Sequence, residues 1–229
     1  MKRLYLTVEG QTEAAFAKVV LGPHLLEFGV YVIKPRFTGP HGREPGRAPR
    51  GGMFHRIRPS LDDMKIWLKE DQTSDARFSM MVDLYSLPTD FPGYAEGIQR
   101  PSGGPQAIFM EQALADEFGD ARFIPYLQVH EFEALVLCDP SRLKLLYERS
   151  EKTIDSLQDD CNRFASPEQI NHGQHSHPKY RIQQAVPRYR QVTDGPYLTG
   201  EIGLQTLRDK CPHFGEWLTR LEQLDGGAV

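Results

Sequence analysis

The sequence predicts an α/β fold: a mostly parallel sheet flanked by helices, with a C-terminal helical layer or subdomain. Three observations predict it. Through residue 140, short apolar runs rich in β-branched and aromatic residues alternate with stretches of helical apolar spacing, which implies parallel pairing through right-handed crossovers. Three of those runs end in an acid just before a turn or loop. Beyond Asp139-Pro140 the strand pattern fades and helix-type segments joined by polar loops take over. The expected division is therefore an α/β core over 1–140 and a helical region over 141–229 packed on it.

The first run, Leu4 to Val8, has the composition of a pleated strand, and Gly10 supplies a turn. Thr12 is expected to cap a helix from about 12 to 28, broken near Gly22-Pro23. A second strand is expected at 30–34. Pro59-Ser60 then starts a helix with Leu61, Met64, Trp67 and Leu68 on its apolar face. The run Arg77 to Val82 makes the third strand. After a loop rich in Pro and Gly, Pro105 opens a helix with Ile108, Phe109, Leu114 and Phe118 inward and Gly119 beyond its end. A fourth strand is expected at 122–129. Ser166-Pro167 starts a further helix, and a terminal helix over 212–224 places Phe214, Trp217, Leu218 and Leu221 on one face.

The acids carry the chemistry. Glu9 follows the first run, Asp83 ends the third, and Glu131 and Glu133 follow the fourth. In a parallel sheet these ends share one edge, where ligands bind in open α/β folds. Carboxylates gathered there repel one another unless a hard cation such as Mg²⁺ or Mn²⁺ sits between them. Glu131 and Glu133 share one side if their segment is extended and diverge if it is helical.

A 229-residue chain with 39 % hydrophobic residues is long enough for one large domain with a sizeable core, and it has no apolar stretch near the roughly 20 residues a bilayer span requires. Three widely spaced cysteines, Cys138, Cys161 and Cys211, argue against a disulfide framework and for a reducing, cytoplasmic setting, and the N-terminus lacks signal-peptide character. The net charge of −4 conceals an asymmetry: Lys34, Arg36, Arg43, Arg47, Arg50, Arg56 and Arg58 face a single nearby acid, Glu44, so the rest of the chain is strongly acidic. This basic segment is also rich in Gly and Pro, which suits an arginine-bearing loop that clamps phosphates of a nucleic acid. Lys179, with Arg181, Arg188 and Arg190, is read either as further phosphate contacts or as the polar face of a short helix. His172, His175 and His177 lie in a polar loop without a nearby cysteine and are read as solvated histidines, not a zinc site. No Walker-type phosphate loop is present, so ATP chemistry would belong to a partner.

Taken in order, Val8-Glu9-Gly10, the strand ending at Asp83, and the alternating pattern between them resemble the Toprim fold of topoisomerases, primases and overcoming-lysogenization-defect nucleases. More narrowly, Val-Glu-Gly-Gln-Thr-Glu, Asp-Leu-Tyr-Ser-Leu-Pro-Thr-Asp-Phe-Pro-Gly, Phe-Ile-Pro-Tyr-Leu-Gln-Val-His-Glu-Phe-Glu-Ala-Leu and Lys-Cys-Pro-His-Phe resemble the bacterial, Toprim-like domain-of-unknown-function 4276 family over nearly the whole chain. The resemblance implies that Glu9 acts in general acid/base chemistry, that Asp83 binds Mg²⁺, and that an ATPase encoded nearby in a defence-type gene cluster is a partner. Tyr85 departs from the pattern, standing where a second Asp is expected. Asp90, Glu131 or Glu133 then replaces that ligand, or the site binds metal weakly.

The expected activity is a Mg²⁺-dependent nuclease with Glu9, Asp83, Glu131 and Glu133 as catalytic and metal-binding groups and Asp90 as a further metal candidate. The rival is a non-catalytic subunit that keeps the shell and docks an ATPase. Oligomeric state, self-association included, is left open by the sequence.

Overall fold

The computed structural model describes residues 1–37, 56–170, 173 and 175–226. Strand β1 (Lys2–Val8) leads into helix α1 (Gln11–Phe16), which continues through a π-helical turn (Ala17–Leu21) into α2 (Gly22–Glu27). Strands β2 (Val30–Val32) and β3 (Arg36–Phe37), helix α3 (Arg58–Glu70) and strand β4 (Ala76–Asp83) follow. Next come the short α4 (Tyr94–Gly97), the long α5 (Gly104–Phe118), strands β5 (Phe123–Ile124) and β6 (Leu127–Gln128), and α6 (Glu133–Val136). The helical region comprises α7 (Glu151–Cys161), α8 (Pro178–Ala185), α9 (Gln191–Ile202), α10 (Leu204–Lys210) and α11 (Pro212–Glu222).

All strand pairs are parallel. The order is β2-β1-β4-β5, with β3 continuing along β1 beyond β2 and β6 continuing along β4 beyond β5. Each outer position is thus one strand in two pieces, and each gap holds a proline, Pro35 or Pro125. Proline has no amide to give to a ladder, so it is tolerated only where a sheet ends. This is why the strand expected over 122–129 is interrupted at Pro125, while the one expected over 30–34 ends at Val32 and a further piece resumes after Pro35. The exposed side of the outer strand is satisfied from a helix: Glu111 Oε1 on α5 accepts from the Leu127 amide at 2.6 Å.

Period-two alternation buries both faces of the sheet, as parallel sheets require. Leu4, Leu6 and Val8 pack with Phe16, Leu21 and Leu25 of the α1–α2 helix and with Phe214, Trp217, Leu218 and Leu221 of α11. Phe78, Met80 and Val82 pack on the other face against Leu61, Met64 and Leu68 of α3 and Ala107, Met110 and Leu114 of α5. The helical region therefore shares an apolar cluster with the strands it covers. Two expectations are corrected here. Ile108 is 56 % exposed, because α5 turns Ala107 and Met110 toward β4 in its place. Thr12 lies inside the first turn of α1; the cap is Gly10, whose amide donates to Glu13 Oε2 at 2.8 Å. Among the described residues, no helix is long and apolar enough to cross a membrane.

Trp217 ties the helical layer to the sheet. Its ring stacks on Tyr126 with centroids 4.3 Å apart, and its Nε1–H donates to the buried Ser79 hydroxyl at 3.0 Å. Trp217→Ala is expected to lower unfolding stability by about 3–5 kcal/mol, through the cavity it leaves and the lost partner of Ser79. Chemical denaturation measures this; a loss below about 1 kcal/mol would show that the two layers are held together elsewhere.

Candidate functional site

The parallel register brings the acidic strand ends together. Val8 pairs with Met81, and Asp83 pairs with Gln128, so the chain leaves β1, β4 and β6 at one edge. Glu9 N–H donates to the Met81 carbonyl at 3.2 Å, and Glu9 Oε2 accepts from the Asp83 amide at 3.0 Å. The Glu9 carboxylate thus sits against the backbone of Asp83. After β6 the chain turns sharply at His130, whose φ of 63° lies in the left-handed region that non-glycine residues seldom occupy. Two contacts fix that turn: Tyr85 N–H donates to the His130 carbonyl at 2.9 Å, and His130 Nε2 lies 3.0 Å from the Glu168 carbonyl. The turn delivers Glu131, and the first turn of α6 delivers Glu133.

The electrostatics of this edge are those of crowded, buried carboxylates. Asp83 is held well above the usual carboxylate range, first by burial and then by the charges of Glu9, Glu13, Glu131 and Glu133. Among the described residues, its buried Oδ1 has no hydrogen-bond partner. Glu133 is fully buried and pushed up to about 8 by burial and by Glu131, against the lowering effect of Lys179. Tyr189 O–H reaches its Oε1 at 3.4 Å, while Oε2 has no partner among the described residues. Glu13 is also raised, by burial, in opposition to its own and the Gly10 amides and to Lys179.

The helical region supplies the opposing charge. Glu131 Oε1 accepts from the Lys179 amide at 2.6 Å and faces His177 Nδ1 at 2.8 Å. The Tyr180 amide also approaches Nδ1, at 3.4 Å. One nitrogen cannot donate and accept at once, and the shorter contact decides: Nδ1 carries the hydrogen and donates to Glu131. Lys179 Nζ bonds Gln191 Oε1 at 2.6 Å and lies close enough to draw down both Glu13 and Glu133.

Of the expected residues, Glu9, Asp83, Glu131 and Glu133 are brought into one electrostatic neighbourhood. Asp90 has other work: Oδ1 accepts from the Ile57 amide at 3.0 Å and Oδ2 from the Arg58 amide at 3.4 Å, capping the start of α3. Among the basic residues, the Arg36 guanidinium lies over the Trp67 ring at 3.7 Å, Arg56 is exposed, and Arg58 pairs with Glu117. Arg43, Arg47 and Arg50 fall outside the described residues, as does His172. His175 is exposed, in keeping with a solvated side chain, but His177 is not: it is bonded to Glu131. Tyr85 is 45 % exposed and its ring stacks on that of His177, with centroids 5.5 Å apart. Sequence reading missed Glu13 as a site member; its position three residues after the turn glycine, where a carboxylate closes a helix cap, was the available signal.

Among the described residues, no group of three or more His, Cys, Asp or Glu forms a ready-made metal cage. The donor chemistry nevertheless fits a hard cation. All the candidate donors are carboxylate oxygens, and among the described residues the buried side-chain atoms without partners are one oxygen each of Asp83 and Glu133 and the Thr7 hydroxyl. Mg²⁺ is commonly held by only one or two carboxylates, with water and substrate phosphate completing its octahedron.

A sign follows for pH. Glu133, Asp83 and Glu13 bind protons more tightly in the folded chain than in the unfolded one, so their contribution favours folding at low pH. It is lost as pH climbs from the ordinary carboxylate range through about 8, where Glu133 titrates, at up to about 1.4 kcal/mol per pH unit for each differing proton. Without divalent metal, Tm is expected to fall more steeply between pH 5 and 8 in the parent than in Glu133→Gln, and added Mg²⁺ to stabilise the parent more at pH 8 than at pH 5.5. Parallel slopes in the two proteins would contradict the assignment.

No curated protein matches the chain. Among solved structures, the chain is similar to the C-terminal region of the Burkholderia pseudomallei OLD protein, at 16 % identity and a TM-score of 0.47, covering 96 % of this chain and 97 % of that one. It is also similar to the C-terminal region of the Xanthomonas campestris pv. campestris OLD protein, at 15 % identity and a TM-score of 0.42, covering 96 % and 98 %. The model of one protein family matches residues 8–222, and the chain belongs to that family, described as Domain of unknown function (DUF4276).

Proposed function

We propose that the chain is a Toprim-like, divalent-metal-dependent nuclease that hydrolyses phosphodiester bonds of nucleic acid. One observation carries this reading: Asp83 and Glu133 are buried among further acids with an unpartnered oxygen each, beside the ammonium of Lys179. A purely structural cluster gains nothing from burying so many carboxyl groups together, whereas a site that receives Mg²⁺ and a phosphate does. When bound, Mg²⁺ or Mn²⁺ would supply an activated water and neutralise charge on the phosphate. Asp83 and Glu133 would hold it through their free oxygens. Glu9, hydrogen-bonded to the Asp83 amide, would handle a proton at the same edge. Lys179, whose ammonium is bonded to Gln191, would oppose charge on a phosphoryl group. Arg43, Arg47 and Arg50 would grip the backbone beyond the site, and an ATPase partner in antiphage defence would supply the regulation that this chain lacks a phosphate loop to provide.

The rival reading, a non-catalytic subunit that docks an ATPase, is favoured by one specific feature, the phenol of Tyr85 in place of a second acid. The two readings part on cleavage. The parent is expected to cut labelled nucleic acid in Mg²⁺ or Mn²⁺ and not in EDTA. Glu9→Gln and Asp83→Asn are each expected to lower the rate at least a hundredfold while retaining the fold, and Asp83→Asn to raise Tm in metal-free buffer by relieving repulsion. A parent that stays inactive in every metal, with or without an ATPase, supports the subunit reading.

Binding offers a separate check on the basic segment. Replacing Arg43, Arg47 and Arg50 together by Ala is expected to weaken nucleic-acid binding and flatten its salt dependence by roughly 0.7–0.9 in log–log slope per lost phosphate contact. An unchanged slope would mean that these arginines are merely solvated.

A further inference from the structure

Beside the acids lies a cavity of about 310 Å³ for which the chemistry above has no use. Its walls include Tyr85, Tyr94, Ile98, Gln106, Met110 and His130. Two of these are chain neighbours of the acids: Tyr85 stands two residues after Asp83, and His130 immediately precedes Glu131. The hydrogen bond from Tyr85 N–H to the His130 carbonyl, 2.9 Å, ties those two walls together.

The cavity's size and lining select among ligands. At this volume it sits near the lower bound of small-molecule sites, roughly 300–1,000 Å³, with room for one flat ring system and its sugar but none for a base pair. Tyr85 and Tyr94 offer aromatic surface and Ile98 apolar surface, above the buried Met110 and His130. The Tyr85 ring is braced by His177, which in turn is bonded to Glu131, so the aromatic wall and an acid of the site are held by one linked set of side chains. Gln106 brings an amide with both donor and acceptor, matching the edge of a nucleobase. Its present bonds, Nε2 to the Ile98 and Arg100 carbonyls at 3.4 Å each, lie at the long limit and are readily exchanged.

We propose that this cavity receives one unpaired nucleobase flanking the phosphate at the acidic edge, so that the chain acts on single-stranded or locally unstacked nucleic acid and not on intact duplex. A base inside a duplex cannot enter such a site without leaving its stack. The assignment of the phosphate rests on the nuclease reading above; the recognition of the base does not.

The experiment measures binding of a labelled single strand by anisotropy with Ca²⁺ in place of Mg²⁺. It uses the same strand carrying one abasic position moved stepwise along it, and the matching duplex, alongside cleavage assays of the parent in Mg²⁺. The single strand is expected to bind more tightly than the duplex, and one abasic position to cost about tenfold in affinity, the scale of a lost base–aromatic stack. Tyr85→Ala and Gln106→Ala are expected to bind the intact strand about as weakly as the parent binds that abasic strand, and to show no further abasic penalty, whereas Tyr85→Phe retains it. Thermal melts confirm that each variant is folded. Base-dependent binding by a parent that cleaves in neither Mg²⁺ nor Mn²⁺, with or without an ATPase, would overturn the nuclease reading and leave the base site standing. Cleavage with no abasic position affecting affinity, or an abasic penalty that survives Tyr85→Ala, would overturn the base site and leave the nuclease standing. A parent that binds no nucleic acid at all would overturn both.

Discussion

Everything at the functional edge follows from burying like charges together. Asp83 lies at the end of a central strand with four other acids in its electrostatic neighbourhood, and no described side chain or backbone group bonds its buried Oδ1. Carboxylates so placed cannot all be ionised in a poorly solvated site, so each must be matched by a proton, a protein cation or an external cation. The protein meets part of the demand itself. Amides at Gly10 and Asp83 take oxygens of Glu13 and Glu9, and the start of α8 takes Glu131. Asp83 and Glu133 hold their protons more tightly than ordinary carboxyls do, and on the proposed reading those protons are what a divalent cation would displace.

The same constraint explains why the helical region cannot be viewed as a mere cover. Lys179 and His177 stand at the start of α8, yet their partners are acids delivered by the sheet. Glu168, between α7 and α8, accepts from the His213 and Phe214 amides at the head of α11, both at 3.1 Å, while its own carbonyl meets the His130 ring. A single residue thus links the helix that buries Phe214 and Trp217 to the strained turn that aims Glu131. Gly103 marks how tight this junction is: at φ of 89°, a Cβ there would come within 3.2 Å of the Glu168 carbonyl. Stability of the C-terminal layer and geometry of the acids are therefore coupled through a few backbone contacts.

Much of this was legible in the sequence because it is local. Alternation of strand and helix patterns, the acid closing each apolar run, and the apolar face of α11 are all set by neighbours in the chain. The breaks in the outer strands were written in Pro35 and Pro125, although their consequence depends on those strands lying at the sheet edges. What stayed hidden depends on distant contacts. Asp90 matched the acidic pattern but serves the start of α3, more than thirty residues earlier in the chain. Glu13 and His177 carried no long-range signal, since one enters through a helix cap and the other through a loop forty-six residues from its partner Glu131. Tyr85 reads in the sequence as a lost ligand, and only its stacking on His177 and its place in the cavity wall give the phenol a role of its own.

On the proposed reading, protons at the acidic edge stand in for a cation. The most direct test is calorimetric titration of the parent with Mg²⁺, or Mn²⁺, near pH 7 in buffers of different ionisation enthalpy, which counts the protons released per metal bound. Because Glu133 titrates at about 8, the account predicts proton release on binding, reduced in Glu133→Gln and in Asp83→Asn. Metal binding with no proton release, or release unchanged by either substitution, would contradict it.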